Sequence, residues 1–336
     1  MQRKLLAAAL FASLPLVAAA QSSVSIYGIA DASIAREDTD AVDGSRTVVN
    51  SGNQSSSRIG FRGTEDLGNG LKAIFNLEAG VALDTGAGDS ALFGRRAVVG
   101  LQGAFGQVTL GREYSPIASV AGQSDILGQG FYGTNLSAFN SGRLTRRLSN
   151  SVNYKSDSMG GFKVLAAYGL GETTTGPSLD TAGVALEYAN GPLFLGAGYH
   201  QIERLATEDD KEYTFGAGYK FGAIEVKGNY MVADRAGANN KFEQANIGAS
   251  VAVGGAGKVY VNVQRNEQAS AKGNLIALAY SHSLSKRTNV YTTLASMRNN
   301  SAGVFGINAS GVNVTPPATA PGADPTALAI GMRHTF

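Results

Sequence analysis

Three arginine-bearing stretches in this chain have the spacing of a charged strand face. Arg58, Gly60 and Arg62 alternate with Ile59 and Phe61. Successive strand residues point to opposite sides, so an outward Ile59 and Phe61 send Arg58 inward. Arg147, Ser149, Ser151 and Asn153 likewise oppose Leu148, Asn150, Val152 and Tyr154, which puts Arg147 on the inner side. Arg95 and Arg96 are neighbours, so strict alternation admits only one of them there and does not choose between them. Guanidinium groups never lose their charge, and along a narrow water path they enrich anions and repel cations. The plainer alternative is that each arginine only solvates a wet surface.

Other chemistry finds little support. His200, His282 and His334 are scattered without ligand spacing, so no metal site is expected. The acids of "ERLATEDDKE" suit a solvated loop better than a Ca²⁺ site, and "GQGFYG" lacks the helix a nucleotide-binding turn needs. No Ser/His/Asp triad or carboxylate pair stands out, so neither an enzyme nor a cofactor is expected. With no cysteine, disulfides and thiolate metal sites are excluded.

The elements that must hold the arginines are strands. Charged residues make up 16% of the 336, below the ~25% of soluble domains, and the 44 glycines are well above the usual share. Leu71, Ala73, Phe75, Leu77 and Ala79 oppose Lys72, Asn76 and Glu78; Tyr213, Phe215, Ala217 and Tyr219 oppose Thr214, Gly216, Gly218 and Lys220; Val259, Val261 and Val263 oppose Tyr260, Asn262 and Gln264. Each strand thus has one oily and one wet or small face. Tight turn clusters ("DLGNG", "GAFGQ", "SMGGF", "ANGP", "KFGA", "GGAGK", "LSKRT") alternate with long polar segments ("REDTDAVDGSRTVVNSGNQ", "LGETTTGPSLD", "ERLATEDDKE", "NNSAGVFGINASGVNVTPPATAPGADP"). About sixteen strands can be counted, with tight turns at one end and long loops at the other, as in a barrel whose oily face meets lipid. Only "SPIASVAGQSDILGQ" has room for a helical turn. Phe105, Phe162, Tyr219, Phe221 and Phe336 flank short turns, as an interfacial girdle would. The final "ALAIGMRHTF" alternates to its last residue, so the terminal strand is expected to pair with "VSIYGIADAS" and leave no edge.

Residues 1–20 read as a cleaved signal peptide: Arg3 and Lys4, an apolar run from Leu5 to Val17, then Ala18-Ala19-Ala20. The run is too short for a membrane anchor. Its loss removes Arg3 and Lys4 only, so Lys+Arg falls from 28 to 26 against 26 Asp+Glu. A neutral mature chain, residues 21–336, argues against nucleic acid as a partner.

These stretches together resemble the Gram-negative general porins, especially the beta-proteobacterial type, over essentially the whole mature chain. The most specific segments are "SSVSIYGIADAS" (22–33), "SSSRIGFRGTEDLGNGLKAIFNLE" (55–78), "GRRAVVGLQGAFGQVTLGREYSP" (94–116), "NSVNYKS" (150–156), "YSHSLSKRTNVY" (280–291) and "IGMRHTF" (330–336). The resemblance implies an all-β, sixteen-stranded antiparallel transmembrane barrel in the outer membrane, assembled as a homotrimer. It implies a third long loop, here 116–146, folded into each channel. It implies an arginine ladder of Arg58, Arg95 and Arg147 facing a loop acid, which Asp125 in "SDIL" matches; Glu78, beside the ladder and holding it, and Arg62, on the same strand face as Arg58, are expected at the same pore constriction. It favours Arg95 over Arg96 for the inner face and leaves Arg96 to the outward or subunit-contact face. It also implies that Phe336 belongs to an assembly signal read by the barrel insertion machinery. The expected function is passive diffusion of small hydrophilic solutes with a preference for anions, the partners being outer-membrane lipid, lipopolysaccharide and small anions. The rivals are a substrate-specific barrel and, further off, a soluble secreted β-sandwich.

Overall fold

A computed structural model describes residues 23–139, 142–238 and 241–336. The signal-peptide segment and its cleavage point lie outside the described residues. In chain order the strands are β1 (Ser23–Asp38), β2 (Ser45–Ser51), β3 (Arg58–Gly68), β4 (Leu71–Gly80), β5 (Arg96–Gly103) and β6 (Gly106–Tyr114). A helix (Pro116–Gln123) and a 3₁₀ turn (Asn135–Ala138) precede β7 (Arg147–Lys155), β8 (Phe162–Gly169), β9 (Thr181–Asn190), β10 (Leu193–Ile202) and β11 (Asp210–Phe221). There follow β12 (Ile224–Asp234), β13 (Phe242–Val253), β14 (Gly257–Gln268), β15 (Ala271–Ser283), β16 (Thr288–Asn299), the short β17 (Ile307–Asn308) and β18 (Asn313–Val314), and β19 (Thr326–Thr335).

All but β17 and β18 belong to one antiparallel sheet. β2 and β3 lie end to end along β1, so the sheet's 17 strands fill 16 positions in the wall. β19 pairs with both β16 and β1, which closes the barrel. Closure runs to the last residue: Gly28 N–H donates to Phe336 O, and Phe336 N–H to Gly28 O, each at 3.1 Å. Gly28 has no side chain because none fits; a Cβ there would lie 2.4 Å from the Phe336 ring. Lipid offers the backbone no hydrogen bonds, so a closed ladder is the arrangement that leaves no polar group unpaired.

One face of each strand is apolar and exposed, as at Val99, Leu110, Phe215, Ile247, Ile276 and Ile330. The opposite face is small or polar and largely buried. At one end, connections are as tight as Asn69-Gly70, where both residues take positive φ (51° and 78°) as a two-residue hairpin requires. At the other end, connections are longer, with two departures from expectation. Much of "REDTDAVDGSRTVVNSGNQ" is strand, because β1 and β2 run on past the polar residues and leave 39–44 and 52–54 as loop. The turn 269–270 is also tight, since Ala269 accepts a φ of 52° and lets Gln268 pair directly with Ala271.

Residues 115–139 and 142–146 pack on inward-facing side chains. Ser115 caps its helix by accepting from Ala118 N–H. Ile117 lies against Gly198, and Ser124 against Gly216. Gln244 and Gln264 both donate to Ser137 Oγ, and Asn262 donates to Gly133 O at 3.0 Å. The β17–β18 hairpin joins the same cluster, with Ser310 N–H donating to Gly130 O at 2.8 Å and Gly133 N–H to Asn308 O at 2.9 Å. Tyr132, Leu136, Phe242, Phe305, Ile307 and Val314 form a dry core between these loops and the wall.

Candidate functional site

Two adjoining cavities lie beside this core. The first, about 630 Å³, is bordered by Arg58, Arg95, Arg96, Arg146 and Lys155, with Glu113 the single acid. The second, about 660 Å³, is bordered by Arg95, Arg112, Arg146 and Arg147, with Asp84 and Asp89. Arg95 and Arg146 border both. Apart from Arg146, the loop side of the first cavity offers only neutral groups, among them Ser119, Gln123 and Gln129.

Glu78 organises one half of the cluster. Its carboxylate takes the Arg95 Nε at 2.7 Å, lies 3.6 Å from the Arg58 Nε and accepts from the Tyr27 hydroxyl at 3.0 Å. Tyr114 organises the other half. Its hydroxyl accepts from Arg95 Nη2 at 3.2 Å and Arg147 Nη2 at 2.7 Å, and the Arg147 guanidinium lies 4.3 Å from the ring centre. Arg146 donates to Gln129 Oε1 at 3.0 Å, tying the start of β7 to the loop. Among the described residues, no carboxylate comes within ion-pair distance of Arg146 or Arg147, so their charges are uncompensated. The geometry brings Arg58, Arg95, Arg147 and Glu78 into one network.

Three placements differ from expectation. Arg96 does not face outward: it pairs in register with Glu78, shares its face and meets Glu113 in an ion pair. Arg95 reaches the same cavity because it precedes β5, where alternation does not yet hold. Asp125 does not face the arginines. It is 1% exposed, and its carboxylate accepts from the N–H groups of Leu127 (3.0 Å), Gln129 (2.9 Å) and Asn135 (3.4 Å) and from the Thr134 hydroxyl. A short acid followed by a tight Ile-Leu-Gly-Gln turn folds back on its own backbone, so it pins the loop. Arg62 stands apart, in a separate cavity of about 380 Å³ that it shares with Ser25, Asn76 and Arg96; its guanidinium lies over Tyr27 at 5.0 Å.

Arg146, Tyr114, Arg112 and Lys155 escaped sequence reasoning. The signal for Arg146 was the doublet Arg146-Arg147, which repeats Arg95-Arg96. Each doublet straddles a strand start, and both of its members reach the cavities. The histidines have ordinary partners: His200 Nδ1 lies 3.1 Å from Glu212, His282 meets the Tyr280 hydroxyl and His334 the Thr288 hydroxyl.

The chain is similar to known outer-membrane porins. The chain is 34% identical to outer membrane porin protein 32 of Delftia acidovorans and 30% identical to an outer membrane porin protein of Bordetella pertussis, each match covering 100% of both chains. In structure it resembles an anion-selective porin from Comamonas acidovorans, with a TM-score of 0.84 and 33% identity over 94% of this chain and 100% of that one. The trimer form of OmpT from Vibrio cholerae shares the fold at 17% identity, with a TM-score of 0.71. The family model for Gram-negative porins matches residues 6–302, and with a closed barrel that holds charged cavities, this chain belongs to that family of outer-membrane channels.

Proposed function

We propose that the channel passes small hydrophilic solutes by diffusion and prefers anions. The observation that carries this reading is the pair of uncompensated charges on Arg146 and Arg147, beside a loop whose one acid, Asp125, is spent on its own backbone. Loop 116–146 narrows the path, and Arg58, Arg95 and Arg147 with Arg146 form its positive side. Glu78 offsets one charge of the Arg58–Arg95 pair and fixes both side chains, while Arg62 lies further along the path. An anion entering gives up part of its hydration and gains attraction to fixed guanidinium groups; a cation gains nothing to offset the same loss. The likeness to an anion-selective porin at 33% identity supports the same sign. On this reading the chain is exported by a signal peptide in residues 1–20, works as a homotrimer amid outer-membrane lipid and lipopolysaccharide, and is inserted by machinery that reads the strand ending at Phe336. The test is the reversal potential of the purified protein in a planar bilayer under a salt gradient. A cation-preferring sign in the unmodified channel refutes the reading.

A further inference from the structure

The two ends of the connection between β6 and β7 meet on one buried side-chain pair. His200 on β10 stands in register with Glu212 on β11, and the two residues are 0% and 4% exposed. Gly183, opposite His200 on β9, leaves room for the ring: a Cβ there would lie 2.6 Å from it. His200 Nδ1 lies 3.1 Å from Glu212 Oε2, and Ile117 N–H donates to Nε2 in a long bond of 3.5 Å. A carboxylate only accepts and a backbone N–H only donates, so Nδ1 carries the ring's hydrogen and Nε2 keeps its lone pair. Ile117 lies in the first turn of the loop helix, where N–H groups have no partner within the helix. Ser115 takes the N–H groups of Ala118 and Ser119, and the His200 ring takes that of Ile117. At the other end, Thr145 donates its N–H to both Glu212 oxygens at 3.0 Å and its hydroxyl to Oε1 at 2.9 Å. Ser115 joins the two ends: its hydroxyl donates to Thr145 O at 2.7 Å and its N–H to Arg146 O at 3.1 Å.

We propose that His200 and Glu212 are positioning residues for charge selection: the pair clamps both ends of the loop and so fixes the backbone from which Arg146 and Arg147 reach the cavities. The proposal rests on the anion-preferring reading above and adds the residues that hold its charges in place. Neither side chain borders either arginine cavity, so neither acts by touching a passing ion. The clamp depends on the direction of its hydrogen bonds. Glu212→Gln keeps the shape and one oxygen for Thr145, but it turns an NH₂ group toward His200 Nδ1. The ring then accepts at Nδ1 and moves its hydrogen to Nε2, where it meets the Ile117 N–H, donor against donor. Two buried donors facing each other cannot both be paired, so the start of the loop withdraws. A change of one atom beside Thr145 thereby unseats Ile117.

The test reads the ring tautomer and the selectivity of the full-length protein. Nitrogen NMR of the barrel, isotope-labelled at histidine, should find the His200 hydrogen on Nδ1, the signal being identified by its loss in His200→Gln. In Glu212→Gln that hydrogen should move to Nε2. Withdrawal of the Arg146 guanidinium from about 5 Å to about 10 Å from a passing ion lowers the anion-to-cation ratio about threefold at about 0.15 M salt. Reversal potentials in planar bilayers should show that fall for Glu212→Gln and for His200→Leu. Because both break one clamp, the double variant should fall no further than either alone. His200→Gln, which keeps an amide oxygen for the Ile117 N–H, should hold most of the selectivity. The amount of heat-resistant barrel should match the unmodified protein throughout, since the β10–β11 ladder is untouched. A hydrogen on Nε2 in the unmodified protein would overturn the proposal, as would unchanged selectivity in Glu212→Gln. A cation-preferring unmodified channel refutes the anion reading alone; the clamp is then judged by the tautomer and by the same threefold shift toward cations.

Discussion

Replacing Arg146 by Gln removes one uncompensated charge from both cavities and keeps a group able to bond Gln129. An ion passing about 5 Å from a unit charge in water feels about 0.8 kcal/mol. Screening over a Debye length of about 8 Å at 0.15 M salt leaves about 0.45 kcal/mol, and at 0.01 M, where that length is about 30 Å, about 0.7 kcal/mol. The substitution removes attraction for the anion and repulsion for the cation, so the permeability ratio moves by twice these energies. With about 1.4 kcal/mol per tenfold, the anion-to-cation ratio should fall about fourfold at 0.15 M and about tenfold at 0.01 M. Reversal potentials of the variant and the unmodified channel, each under the same gradient at the two ionic strengths, measure it. A ratio that does not move, or that moves equally at both salt levels, refutes the view that unpaired charge at the cavity sets selectivity.

Further outcomes follow from the same contacts. Asp125→Ala should leave selectivity nearly untouched and cost the loop about 1–3 kcal/mol through orphaned donors, seen as noisier single-channel currents and a lower melting temperature. Glu78→Gln frees Arg95 and Arg58 from their shared counter-charge, so anion preference should rise; a fall would show that holding the arginines in place matters more than offsetting them. Gly28→Val, which would drive a side chain into the Phe336 ring, and deletion of Phe336 should both reduce the amount of heat-resistant barrel in membranes. Normal membrane levels of both would remove Phe336 from assembly. Protease added to intact cells should cut near 204–211 or 300–324, and cleavage at "ANGP" or "LSKRT" instead would invert the barrel in the membrane.

Strand identity was legible because lipid on one side and water on the other impose a period of two, as Leu71–Ala79 and Tyr213–Tyr219 display. Closure was legible for the same reason, in the alternation that runs through Phe336. The interruption between β2 and β3 was not. Residues 52–57 leave the wall because the Asp31 carboxylate accepts from Gln54 N–H at 3.1 Å, Ser55 N–H at 2.7 Å and the Tyr291 hydroxyl at 2.6 Å. Those partners lie 23 to 260 positions away, beyond any local pattern. The site was half legible. Periodicity placed Arg58, but it holds only inside an unbroken strand: β7 shifts register between Leu148 and Ser151, so Leu148 is buried where alternation put it outward, and both doublets sit where a strand begins. Asp125 was misplaced for a different reason: a carboxylate facing open water and one bonded to its own loop look alike in sequence.

The pairing that closes the barrel also sets the order in which it can form. Every other neighbouring pair in the wall is joined by one local connection, which carries β2 between β1 and β3 and carries β17 and β18 between β16 and β19, whereas Ile29 meets Thr335 across 335 − 29 = 306 positions. Tying two chain ends together over that span costs about 5 kcal/mol of loop entropy when the intervening chain is free. The cost falls once the hairpins between have zipped and carried the two ends toward each other. Joining β1 to β19 is therefore the last step to become affordable, and before it the molecule is a curled sheet with two bare edges, each able to accept a foreign strand.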